Sequence, residues 1–161
     1  MKMHLNRTHI RNISIGVILT VLIVIIIIAG SKCYEKYTLS QKRLDLSYMS
    51  NVYKIKFDYY GRWGGVLTDK KCIEDIMNYL SNVKATNEYS GIEHSVEVKY
   101  QVVIKYYDNE GEEEGYSFGV IERNGKHYLV PLLENELWQM DDEFYNYLNE
   151  TVVKVVSGEL E

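Results

Sequence analysis

The chain has 161 residues, 46% hydrophobic and 25% charged, with a formal net charge of −5. Its first 32 residues hold four of the 18 Lys/Arg and none of the 23 Asp/Glu, so the remainder stands at −9. That excess excludes nucleic acid as a partner and disfavours anionic lipid or wall polymer, because like charges repel.

Residues 13–29 carry no charge, and 21–28 are all Val, Leu and Ile. As a helix the 17 residues of this run reach about 26 Å at ~1.5 Å per residue, close to the hydrocarbon thickness of a bilayer. Lys2, Arg7 and Arg11 precede the run with no acid among them. Positive charge stays inside, so the N-terminus is expected to be cytoplasmic and the rest of the chain outside. The reading is a cytoplasmic tail over 1–12 and a single-pass signal anchor over 13–30, held in the cell membrane through 13–29. Two other fates stay open. Ala29-Gly30-Ser31 offers the small residues of a cleavage site, and Cys33 stands where a lipoprotein cysteine would, although Lys32 before it departs from that pattern. The run is longer than the usual ~7–15-residue core of a cleaved signal, which favours the retained anchor.

Residues 31–51 read as a stalk. Tyr34, Tyr37, Leu44 and Tyr48 fall roughly on one helical face, no Pro or Gly interrupts after Gly30, and the two tyrosines suit a membrane interface. One domain then follows over 52–156, with 157–161 fraying; it is large enough for its own core.

Residues 52–60 alternate, with Tyr53, Ile55, Phe57 and Tyr59 one way and Lys54, Lys56 and Asp58 the other: a half-buried strand. Gly61-Arg62-Trp63-Gly64-Gly65 predicts a turn or bulge with positive-φ positions, and Val66-Leu67 resume a short strand. Thr68 or Asp69 caps a helix to about Asn82, whose stripe is Ile73, Ile76, Met77 and Leu80. Residues 84–93 read as polar loop with a short edge strand at the start. Residues 95–107 form the longest predicted strand, with Val96, Val98, Tyr100, Val102, Ile104 and Tyr106 on one face.

Asp108-Asn109-Glu110-Gly111 is a turn, prolonged by Glu112, Glu113 and Glu114. Tyr116, Phe118 and Val120 begin the return strand. Asn124-Gly125 marks a tight hairpin, after which Tyr128 and Val130 face away from His127 and Leu129 until Pro131 ends the strand or marks an edge. Residues 134–140 are a connector with Leu137 and Trp138 tucked inward. Asp141 caps a last helix to about Val156, with Phe144, Tyr147, Leu148, Thr151, Val152 and Val155 as its stripe. The fold class is α+β: an antiparallel sheet of about five strands with two helices on one face, in the order β-β-α-β-β-β-α.

The strand over 52–60, Thr68-Asp69 opening the first helix, the Asp108–Gly111 turn, Tyr116-x-Phe118, Asn124-Gly125-Lys126-x-Tyr128-Leu129 and Leu137-Trp138 together carry a resemblance. Over about 52–148 the chain resembles small single-anchor or lipoprotein extracytoplasmic domains of low-GC Gram-positive bacteria. Those families have no established activity, so the resemblance implies a compartment and an architecture but assigns no residue a role.

Little in the sequence points to catalysis. His94 and His127 read as exposed edge residues, not bases. No serine is read as the nucleophile of a Gly-x-Ser-x-Gly elbow, and no metalloprotease, phosphate-loop or dinucleotide pattern is found. Cys33 and Cys72 lack metal spacing, and Cys72 reads as a buried free thiol. Glu110 and Glu112 to Glu114 read as a solvated hairpin tip, since a calcium loop wants alternating ligands. No metal or cofactor is expected. Trp138 reads as core. Tyr60, Arg62 and Trp63 are the candidate partner-binding residues, because Trp and Arg on a glycine-rich loop suit partner contact. The competing account packs Trp63 back onto the sheet and leaves Arg62 solvated. The function expected is a non-enzymatic, membrane-anchored extracytoplasmic module binding an envelope protein or peptide. The alternatives are an envelope hydrolase with a site assembled from distant strands, or an immunity-type protein binding a secreted cationic peptide.

Overall fold

The computed structural model describes residues 7–59, 62–86, 97–131 and 137–160, without the side chains of residues 7–16, 40, 59, 62 and 63. The chain divides into two compact units, Met1–Thr38 and Leu39–Glu161.

The first unit is built on α1 (Arg7–Gln41). Within it Val17–Leu39, 23 residues, is long and apolar enough to cross a membrane, about 35 Å at ~1.5 Å per residue. Its polar residues do not break the helix. The Ser31 hydroxyl donates to the Ile28 carbonyl and the Thr38 hydroxyl to the Tyr34 carbonyl, both at 2.9 Å, so each is satisfied within the helix. The apolar N-terminal helix is therefore a candidate membrane anchor.

The second unit is α+β. Its strands are β1 (Ser50–Tyr59), β2 (Arg62–Leu67), β3 (Lys84–Thr86), β4 (Val98–Tyr107), β5 (Glu113–Arg123), β6 (Lys126–Pro131) and β7 (Leu137–Met140), and its helices are α2 (Lys70–Asn82) and α3 (Asp142–Ser157). All seven strands join one sheet in the order β2-β1-β4-β5-β6-β7-β3, and every pairing is antiparallel.

Local chemistry explains most of these elements. In β4, Tyr100, Val102, Ile104 and Tyr106 are buried while Gln101, Val103 and Lys105 are half-buried, the period-two pattern of a strand. The β4–β5 turn closes on Asp108, whose Oδ1 accepts from the amides of Glu110 (2.9 Å) and Glu112 (2.8 Å). At the β5–β6 turn Asn124 and Gly125 both have positive φ, 54° and 71°, as a two-residue hairpin loop demands. Each helix starts on a carboxylate cap: Asp69 Oδ1 accepts from the Cys72 amide and Asp141 Oδ1 from the Phe144 amide, both at 2.8 Å. Those bonds from Cys72 hold the Asp69 carboxyl below its ordinary value.

The main core joins Ile73, Ile76 and Leu80 of α2 and Phe144, Leu148 and Val152 of α3 to Ile55, Phe57, Val102, Ile104, Phe118, Val120, Leu129 and Trp138 of the sheet. A smaller cluster, Ile121, Tyr128, Val130 and Leu137, occupies the alternate positions of β5, β6 and β7. That end of the sheet is thus buried on both faces.

Four details differ from the sequence reading. β7 occupies part of the predicted connector, because Leu137 and Trp138 are both buried and such a strand shows no alternation. Glu113 and Glu114 lie in β5, paired with Tyr107 and Tyr106, and do not prolong the turn. Pro131 ends β6, which lies between β5 and β7 and is no edge. The second half of the predicted stalk belongs to the folded unit: Leu44 and Met49 are buried, Leu39 and Leu46 pack against the same core, and Arg43 bridges to Lys84 of β3.

Candidate functional site

Two of the three residues singled out in the sequence lie at one edge of the sheet. Arg62 and Trp63 lie in β2 itself, paired with Tyr59 and Asp58 of β1. Tyr60, like His94, lies outside the described residues. The two glycines that follow have packing reasons. A Cβ on Gly64 would stand 2.8 Å from the Phe57 carbonyl oxygen, and one on Gly65 would stand 2.6 Å from Val155 Cγ1 of α3. Gly65 also holds φ 128°, and the β1–β2 register shifts between Phe57 and Asp58. The glycines therefore seat β2 against its neighbours.

The two edges of the sheet differ. β3 is three residues long, and its outer side is met by the chain after α1, through the Arg43–Lys84 bridge and the Ala85 amide donating to the Lys42 carbonyl at 3.3 Å. β2 is six residues long and, among the described strands, pairs only with β1. Among the described residues, no strand covers its outer side. Such an edge presents free N–H and C=O groups to any extended segment.

A second group was not read from the sequence. Lys99 of β4, Glu122 of β5, His127 of β6 and Tyr145 and Asp142 of α3 converge at the N-terminal end of α3. The Lys99 Nζ donates to Glu122 Oε2 at 2.5 Å and to the Tyr145 hydroxyl at 2.8 Å, and these contacts hold its ammonium above the ordinary value. The His127 ring lies flat on Tyr145, centroids 3.4 Å apart with an interplanar angle of 3°. Its Nε2 is 3.8 Å from Glu122 Oε2 and its Nδ1 3.8 Å from Asp142 Oδ1. His127 is therefore no exposed edge residue: its side chain is 15% accessible. Burial pushes its imidazole below the ordinary value, with Lys99 adding to the effect and Glu122 and Asp142 opposing it. Each ring nitrogen lies 3.8 Å from a carboxylate oxygen, beyond hydrogen-bond distance, so neither carboxylate orients the ring as a base. The only local sign was cross-strand: His127 and Glu122 are direct partners over the Asn124-Gly125 turn.

Two nucleophile candidates can be judged by surroundings. Residues 115–119 spell Gly-Tyr-Ser-Phe-Gly, a match to the elbow pattern that sequence reasoning passed over. All five sit within β5, with Ser117 paired to Val103, whereas an elbow needs a sharp strand-to-helix turn. Cys72 is half-buried and free, as Cys33 is free and exposed. Burial, then Asp69, pushes the Cys72 thiol up, away from the reactive thiolate. Beside it the Tyr147 hydroxyl donates to Asp75 Oδ2 at 3.1 Å. Among the described residues, no group of three or more His, Cys, Asp and Glu is placed to hold a metal ion.

Comparison with family models, with curated proteins and with solved structures finds no match.

Proposed function

We propose that the chain is a membrane-anchored extracytoplasmic interaction module that takes an extended segment of an envelope protein or peptide along β2. The observation that carries this reading is the outer side of β2, a six-residue edge strand bearing Arg62 and Trp63 with which no other strand pairs among the described residues. Backbone groups along such an edge supply affinity, and the side chains beside it supply selectivity. Trp and Arg are the residue types that most often dominate binding energy at an interface. The N-terminal helix supports tethering, and the basic residues before it support a cytoplasmic N-terminus with the domain outside. The −9 charge of the chain beyond residue 32 favours a cationic segment over an acidic one.

The test is affinity capture from detergent-solubilised envelope with the full chain, comparing wild type with Trp63→Ala and Arg62→Ala. The expected result is one protein or peptide retained by wild type and weakened at least tenfold by Trp63→Ala, a hot-spot loss of about 1.4 kcal/mol or more. Equal retention by all three chains would remove the site from β2. No retained partner at low or moderate salt would count against the interaction reading itself.

A further inference from the structure

The Lys99–Glu122–His127–Tyr145–Asp142 group supports an inference independent of β2. We propose that it is an acid-sensitive latch: protonation of His127 releases the first turns of α3 from the β5–β6 hairpin.

The geometry is that of a neutral imidazole used as a packing surface. The ring is stacked flat on Tyr145, so a contact joining the first turn of α3 to β6 runs through the ring that titrates. Its Nδ1 is buried and has no hydrogen-bond partner among the described residues. A neutral ring tolerates this with one unused lone pair or N–H, whereas an imidazolium carries a full charge into the same place.

The groups around the ring do not compensate such a charge. From β5, Glu122 stands 3.8 Å from Nε2, but its oxygen is already engaged by Lys99 at 2.5 Å. From β4, that same Lys99 brings a positive charge. From α3, Asp142 stands 3.8 Å from Nδ1 but is 91% exposed, so water screens it, and the Tyr145 hydroxyl is occupied by Lys99 at 2.8 Å. From β7, the partner of His127 is Met140, which carries no charge. Two anions face the ring, one committed to a lysine and the other solvated, so burial prevails.

The direction follows by linkage. A histidine held below its ordinary value of about 6.5 stabilises the folded state fully above that value. The contribution is lost as pH falls through 6.5 toward the folded value, because the unfolded chain takes up the proton first.

The experiment is hydrogen–deuterium exchange on the full chain in nanodiscs at pH 7.5 and 5.0, corrected for intrinsic exchange. In wild type, residues 123–131 and 141–148 are expected to lose protection at pH 5.0 relative to residues 73–80 of α2. In His127→Phe, which keeps an aromatic ring on Tyr145 but does not titrate, the two segments should stay protected at both pH values. Loss of protection in His127→Phe equal to that in wild type would overturn the latch, as would unchanged protection in wild type. Should His127→Phe fail to fold, the ring resonance of His127 in wild type decides. Titration below about 6.5 supports the latch, and titration at or above it overturns it.

Discussion

At the scale of single residues, carboxylates do most of the local specification. Asp69 and Asp141 each accept the amide three positions on, and Asp108 accepts two amides within its own turn. Each satisfies donors that the start of a helix or a tight turn would leave unpaired. Asp141→Ala should therefore lower stability by about 1 kcal/mol, read as a shift in the urea midpoint with unchanged slope; Asp141→Asn should retain most of it. These caps were legible because the signal is a residue type at a fixed offset from an apolar stripe. His127 was not, because its neighbours Lys99 and Tyr145 come from β4 and α3. Tyr53 makes the same point. It stacks on Tyr107 at 5.0 Å, and burial, then Glu113, pushes its phenol up to about 12, through partners from β4 and β5.

At the scale of elements, the close approach of α3 to β2 is the sharpest constraint. Gly65 meets it twice, through φ 128° and through a Cβ position 2.6 Å from Val155 Cγ1. Gly65→Ala should destabilise by about 2–4 kcal/mol, the sum of a strained backbone and an overpacked contact. Gly125→Ala has φ 71° and open space around its Cβ, so it should lose only the backbone part, about 1–2 kcal/mol. Urea unfolding of both variants checks the order, and adding Val155→Ala should return part of the Gly65→Ala loss and none of the other. Long strands with one wet face, such as β4, were legible from alternation. β7 was not, since Leu137 and Trp138 are buried in succession on both faces, and period-two contrast disappears where neither side meets water.

At the scale of the whole molecule, the unpaired length and apolarity of one helix stand out. Val17–Leu39 has no part of its most apolar window buried, and within a soluble unit that much exposed Val, Leu and Ile would be an unusual patch. The full chain should remain with the membrane pellet through alkaline carbonate extraction. Ile25→Arg, which costs about 2.5–3.5 kcal/mol of insertion near a helix centre, should shift a measurable share to the supernatant. Release of the wild-type chain by carbonate would sink the anchor. The two edges of the sheet differ at this scale too: the β3 edge is short and met by residues 42–43, while among the described residues no strand pairs with the outer side of β2.

What the sequence determined alone was whatever depends on near neighbours. The apolar run of α1, the alternation of β1 and β4, the stripes and caps of α2 and α3, and the Asn124-Gly125 turn all follow from spacings of two or about 3.6 residues and from the φ values that side chains allow. Tertiary structure alone decided what depends on pairing across the sheet. It placed β2 at one edge and β3 at the other, with α2 joining them, and it seated α3 on Gly65. It also surrounded His127 with a lysine, two carboxylates and a tyrosine from three other elements. The physical reason is that a strand's own residues set which faces it buries, whereas its neighbours are chosen by the fit of the whole core, which no local spacing encodes.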